Sequence, residues 1–172
     1  TDPVVKLDSP TNNSWQSTQL VTFQYTPTDT NLRNCTLYGD FTGTWTVNIT
    51  NATVTTGVQD SMNLNLTNGT YLWNVLCYDY AGNTAFNSTN YTVHVDSVIP
   101  DITLNALGYY HNTSNTSIDF RWTVIDNVDD NSTCNLTINN VVNVSGIPSG
   151  NNTAMNQTVE GFSDGDYDWN IT

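Results

Sequence analysis

The chain has 172 residues, of which 16 are acidic and 3 basic (Lys6, Arg33 and Arg121), giving a formal net charge of -13. Three cations cannot neutralise a run of phosphates, which excludes a nucleic-acid surface and an anionic membrane face and argues against phosphoryl transfer. Charged residues make up 11% of the chain, against about 25% in ordinary globular proteins, and 26 Asn, 29 Thr and 12 Ser take their place as the solubilising side chains.

The apolar share of 37% includes 5 Phe, 5 Trp and 9 Tyr, many at alternating positions, which suits a packed all-β core and not a disordered chain. No apolar run approaches the roughly 18 residues of a membrane span. The start, Thr1-Asp2-Pro3, lacks the basic-then-apolar pattern of a signal peptide, so for a secreted protein the segment is mature or internal.

In chain order, runs rich in Thr, Val, Tyr and Trp predict strands near 4–8, 20–26, 33–38, 44–50, 58–66, 70–79 and 89–95, and no segment carries a helical period. Asn68-Gly69 predicts a tight turn between the fifth and sixth of these. In the strand that follows, Tyr71, Trp73, Val75 and Cys77 share one face by period two, which points the cysteine into the core beside the indole.

The pattern then repeats. Pro3-Val4-Val5-Lys6-Leu7 matches Pro100-Asp101-Ile102-Thr103-Leu104, and Val21-Thr22-Phe23-Gln24-Tyr25 matches Ile118-Asp119-Phe120-Arg121-Trp122, both at an offset of 97. Asn34-Cys35-Thr36-Leu37 matches Thr133-Cys134-Asn135-Leu136 at 99, and Gly69-Thr70-Tyr71-Leu72-Trp73-Asn74 matches Gly165-Asp166-Tyr167-Asp168-Trp169-Asn170 at 96. Four anchors in one order mean two copies of a domain, 1–96 and 97–172. Seven strands in a copy this size predict tandem immunoglobulin-like β-sandwiches. The second copy is expected to be incomplete at its C-terminus: the partner expected for Cys134 falls one place beyond Thr172, and a seventh strand is missing. A segment cut from a longer tandem array is the favoured explanation, and a strand donated by a neighbouring molecule is the alternative.

Cys35 and Cys77 fall on the third and sixth predicted strands, neighbours in one sheet, and predict a disulfide; two buried free thiols are the alternative. No C-x-x-C spacing or histidine cluster suggests a metal site. Sixteen N-x-S/T sequons begin at Asn12, Asn34, Asn48, Asn51, Asn65, Asn68, Asn87, Asn90, Asn112, Asn115, Asn131, Asn135, Asn143, Asn151, Asn156 and Asn170. Chance pairing would supply about 6, so N-glycosylation is expected, with sugars supplying the hydration that charges do not. Asp126, Asp129 and Asp130, the alternating Asp164, Asp166 and Asp168, and the junction pair Asp96 and Asp101 invite a calcium reading, but turns explain them better and no cofactor is expected. No catalytic residue is expected: His94 and His111 stand alone, and Glu160 has no second glutamate to pair with. For Trp15, Trp45, Tyr109 and Tyr110, core packing or hairpin pairing is favoured over stacking on sugar rings.

The run Cys77-Tyr78-Asp79-Tyr80-Ala81-Gly82-Asn83-Thr84 resembles the C-x-D-x-A-G-N ending of immunoglobulin-like or fibronectin-III-like tandem repeats in archaeal and bacterial surface proteins. The opening Leu7-Asp8-Ser9-Pro10-Thr11-Asn12-Asn13 resembles their L-x-x-P-x-N start, and Asp96 followed by Pro100 resembles the join between repeats. The resemblance implies a repetitive cell-surface, S-layer or filament protein, with N-glycans favouring an archaeal source. Its partners would be copies of itself or neighbouring repeats, with neither nucleic acid nor direct membrane insertion involved. An adhesin or carbohydrate-binding module, appended to a secreted enzyme for example, is the rival reading. The chain departs from antibody domains, because Val75 stands where they carry a tyrosine two places before the second cysteine.

Overall fold

The computed structural model describes residues 1–105, 116–128 and 130–172. They form two compact units, Thr1–Ser97 and Val98–Thr172. Ser97 belongs with the first because its backbone N–H and hydroxyl both donate to Asn68 Oδ1, at 3.1 and 2.8 Å.

Unit 1 contains β1 (Val4–Ser9), β2 (Ser14–Gln16), β3 (Leu20–Thr28), β4 (Leu32–Gly39), β5 (Thr46–Asn51), β6 (Asp60–Asn65), β7 (Gly69–Asp79), β8 (Thr84–Phe86) and β9 (Tyr91–Val95). One sheet runs β1-β3-β6. The other runs β2-β9-β7-β4-β5, with β8 also paired to β7. The two enclose one core, in which Val21, Phe23 and Tyr25 of β3 face Leu37, Trp73, Val75 and Val93 of the larger sheet. Alternation produces this: along β3 the odd positions are buried while Thr22, Gln24 and Thr26 turn outward. Pro27, which has no N–H to donate, lies past the last β3–β6 pair, Tyr25 with Asp60.

Unit 2 repeats the plan with β10 (Asp101–Leu104), β11 (Ser117–Ile125), β12 (Asn131–Ile138), β13 (Val141–Gly150), β14 (Ala154–Glu160) and β15 (Trp169–Ile171). Its sheets run β10-β11-β14 and β13-β12-β15, matching β1-β3-β6 and β5-β4-β7 strand for strand. The register repeats as well. Leu37 opposes Val75 and Gly39 opposes Trp73 in unit 1, while Leu136 opposes Ile171 and Ile138 opposes Trp169 in unit 2. The core aromatics keep their geometry: Phe23 meets Trp73 edge-on at 4.9 Å and 64°, and Phe120 meets Trp169 at 5.0 Å and 63°.

Three expectations need correction. Unit 1 has nine strands, not seven, because β2 and β8 are three-residue strands set by pairing with β9 and β7 and too short to show a period. Asn68-Gly69 makes no hairpin: β6 and β7 lie in different sheets, so this connection arches across the core. Of the two placements expected for Trp15 and Trp45, core packing does not hold, since they are 53% and 40% exposed, whereas Trp15 pairs with His94 of β9 and Trp45 lies at the β4–β5 hairpin. Trp15 sits on edge strand β2 and Trp45 just before edge strand β5, where only one side meets the sheet.

Candidate functional site

The most constrained chemistry in the molecule is the centre of the larger sheet of unit 1. Antiparallel pairing of β4 with β7 sets Cys35 directly opposite Cys77, and the two form a disulfide. Both are fully buried, so the bridge staples adjacent strands of one sheet from its core side. Trp73, four residues earlier on the same face of β7, meets Phe23 edge-on at 4.9 Å and Tyr91 at 5.8 Å. In unit 2 Cys134 occupies the position of Cys35, buried and as a free thiol.

At the start of β7 the Tyr71 hydroxyl donates to the Thr67 carbonyl at 2.9 Å, and in unit 2 Tyr167 does the same to Ser163 at 3.1 Å. A tyrosine bonding back across the sheet-to-sheet arch is the corner device of β-sandwiches. Here it stands six places before Cys77 instead of two, which leaves Val75 at the position where antibody domains carry the tyrosine. The signal for it was present in the sequence as the matched Tyr71 and Tyr167.

The Cys77-to-Asn83 motif is a locked turn. Asp79 ends β7 buried, and its carboxylate accepts from Asn83 N at 2.8 Å and from Asn83 Nδ2 at 2.7 Å. Asp79 N in turn donates to Asn83 O at 3.0 Å, and Gly82 closes the turn with a φ of 90° that disfavours any side chain. The Asn83 side chain, opposed by burial and assisted by the backbone N–H groups of Asn83, Ala81 and Gly82, holds the Asp79 carboxyl below its ordinary range.

The outer face of the same sheet carries an exposed aromatic cluster. Tyr38 meets Phe86 edge-on at 5.1 Å and stacks toward Trp45 at 6.3 Å, with Trp45 and Phe86 6.4 Å apart. Farther along, Trp15 stacks on His94 at 4.7 Å, and His94 Nδ1 bonds Thr70 Oγ1 at 2.8 Å. The stacked indole and the hydroxyl together fix the orientation of the His94 ring. Tyr109, Tyr110 and His111 lie outside the described residues.

The sequons divide by accessibility. Asn12, Asn48, Asn65, Asn90, Asn131, Asn143, Asn156 and Asn170 are exposed, Asn34, Asn51, Asn68, Asn87, Asn135 and Asn151 are half-buried, and Asn112 and Asn115 lie outside the described residues. Several half-buried ones commit the amide nitrogen inward: Asn51 Nδ2 to Asp60 Oδ2 at 2.6 Å, Asn68 Nδ2 to Asp96 Oδ1 at 3.2 Å, and Asn151 Nδ2 to Asp126 O at 2.7 Å.

Of the acidic loop, Asp126 is buried and its Oδ1 accepts from Val128 N at 2.8 Å, a local turn bond, while Asp129 lies outside the described residues. Asp164, Asp166 and Asp168 are all exposed. Among the described residues no three His, Cys, Asp or Glu side chains converge on a point. A shallow open depression of about 210 Å³ in unit 2, between Ile138, Asn143, Glu160, Phe162 and Tyr167, has Glu160 as the one carboxylate in its lining. Among the described residues no helix is long and apolar enough to cross a membrane.

No protein-family model matches the chain, and no curated protein does. Among solved structures, the fibronectin(III)-like modules of Clostridium thermocellum CbhA align over 97% of this chain and 83% of their own, with a TM-score of 0.53 at 13% identity. The fold is fibronectin-III-like. The central fibronectin-III array of RIM-binding protein and a 1.5-MDa bacterial ice-binding adhesin studied for host cell surface retention also match. They do so at 12% and 13% identity and a TM-score of 0.38 each, covering 99% and 94% of this chain but 58% and 55% of theirs. At such identities the likeness is one of fibronectin-III-like architecture, and function has to be argued from this chain's own residues.

Proposed function

We propose that this chain is a non-enzymatic structural segment of an extracellular or cell-surface assembly, a filament or S-layer, built from glycosylated fibronectin-III-like repeats acting as spacers in series. The observation that carries the reading is the repetition of one strand order, one register and one aromatic core in two successive units, the pattern of a modular array. The buried disulfide supports an oxidising compartment, and the sequon excess supports an N-glycosylating, archaeal-type source. In this reading the partners are copies of the chain or neighbouring repeats, and no cofactor takes part. Electron microscopy of the native material, with intact-glycopeptide mass spectrometry, tests it: ordered filaments or lattices bearing sugars are expected, and a dispersed, unglycosylated monomer would overturn it.

A second reading, an adhesive or carbohydrate-binding module, draws on the outward cluster of Tyr38, Trp45 and Phe86, because clustered exposed aromatics provide faces on which sugar rings stack. Under it, Trp45→Ala abolishes retention on immobilised polysaccharide while the melting temperature stays unchanged. Equal retention of parent and variant would discard it.

A further inference from the structure

The edge strands of the two units share a feature at equivalent positions. In unit 1, β5 is the outer strand of its sheet and pairs only with β4. The ladder runs Leu37 with Ile49, then Tyr38 with Val47, so Asn48 has no partner and is the extra residue of a β-bulge. In unit 2, β13 is the outer strand and pairs with β12. There the ladder runs Leu136 with Val144, then Thr137 with Val142, and Asn143 is the extra residue. Leu37 and Leu136 are the same position of the repeat, so the bulge recurs at one site. Each bulged asparagine opens a sequon, Asn48-Ile49-Thr50 and Asn143-Val144-Ser145. Both are exposed, and neither makes a side-chain hydrogen bond to the described residues.

These edges also need protection. The strands Thr46–Asn51 and Val141–Gly150 contain no charged residue, and Val47 and Val141 stand 51% and 67% exposed on them. An uncharged, β-branched edge is a template for pairing with another chain; the bulges, and Pro148 on β13, interrupt it, but neither strand carries the lysine or other charge with which proteins also blunt an edge. This chain has three basic residues, Lys6, Arg33 and Arg121, and none lies on these strands.

We propose that Asn48 and Asn143 are the principal N-glycan acceptors of the two units and that their glycans act as edge gatekeepers in place of lysine. Each asparagine is exposed and left out of the strand register, where a transferase can reach it. Transfer is a substitution without redox change. Nδ2 attacks the anomeric carbon of a lipid-linked glycosyl phosphate, the C–N bond forms as the C–O bond to phosphate breaks, and the phosphate leaves with the electron pair. Nδ2 loses one proton to the transferase's base. By the same chemistry Asn51, Asn68 and Asn151, whose amide N–H groups are engaged inward, stay unmodified in the folded protein. This inference rests on the glycoprotein reading given under the proposed function.

Two measurements on protein from its source cells test it. Site-resolved glycopeptide mass spectrometry should find Asn48 and Asn143 occupied, and Asn51, Asn68 and Asn151 empty. Glycans at other sequons with Asn48 and Asn143 bare would overturn this inference alone, and an unmodified chain would overturn the glycoprotein reading with it. The Asn48→Gln/Asn143→Gln variant, compared with Asn65→Gln/Asn131→Gln as a control that also loses one exposed sequon in each unit, should self-associate at a several-fold lower concentration by analytical ultracentrifugation and gain thioflavin binding. Near-ultraviolet circular dichroism confirms that both variants are folded. A folded double variant that stays as monomeric as the control would overturn the gatekeeper role.

Discussion

Reducing the Cys35–Cys77 bridge should destabilise unit 1 selectively. The cysteines are separated by 42 residues. Loop-closure entropy for a ring of that size gives about 13 cal/mol/K, or about 4 kcal/mol at 25 °C, by which the bridge disfavours the unfolded chain. For a domain of this size that is a fall in melting temperature of roughly 20 °C. Two preparations isolate the origin of the loss: the parent with a thiol reductant, which keeps both sulfurs in the core, and Cys35→Ala/Cys77→Ala, which also removes them. The reduced parent should lose about 4 kcal/mol, and the double variant somewhat more, because truncating fully buried side chains leaves space unfilled. The denaturant m-value should rise on reduction, since an unbridged unfolded chain exposes more surface. Native-state hydrogen exchange read by mass spectrometry reports the units separately. Amides of β4 and β7 should lose protection, while β11 and β12 serve as the control because Cys134 is unbridged in both states. A loss in unit 1 below about 1 kcal/mol would refute the entropic argument, and an equal loss in unit 2 would refute its local character.

Tyr71→Phe removes the hydroxyl that ties the arch to Thr67 O and should cost unit 1 about 1 kcal/mol in urea titrations; no change would make the corner ornamental. Asp79 has a folded pKa held below its unfolded value, so its contribution to stability is complete above about pH 4 and is lost as pH falls through the folded value. The urea midpoint should therefore drop on acidification, and Asp79→Asn should flatten that limb; an equally steep acid loss in the variant would exclude Asp79 as the cause. Because Asn135 and Thr172 exchange backbone hydrogen bonds at 2.7 and 3.0 Å, a cysteine appended directly after Thr172, with residues enough to continue the strand, should oppose Cys134 and bridge it. Thiol titration would detect the loss of the free cysteine, and a persistent free thiol would show the register to differ beyond Thr172.

Much of the fold was legible because burial and exposure alternate along long strands. The nine residues of β3, with Val21, Phe23 and Tyr25 inward, and the run Tyr71, Trp73, Val75, Cys77 announce both the strand and its core face. The short strands β2 and β8 were not legible, since three residues carry no period and exist through their partners. Whether Trp15 and Trp45 would sit in the core or beside a paired edge strand was not legible for a related reason: an aromatic ring is equally at home in either, and the choice depends on what packs over it. Tyr71 was placed on the inward face, but its hydroxyl's partner lies in the preceding arch, whose course depends on β6 and β7 joining different sheets.

The sequence by itself determined the composition, the repeat, the all-β character and the two cysteines facing the same core, because these depend on local spacing and self-comparison. Only the tertiary structure decided the strand order of each sheet, the register that sets Cys35 directly opposite Cys77, and which asparagines direct their amides inward. It alone showed that Asn48 and Asn143 are the bulged residues of equivalent edges. A two-residue period says which way a side chain points, but a bulge is a mismatch in length between two strands brought together from different parts of the chain.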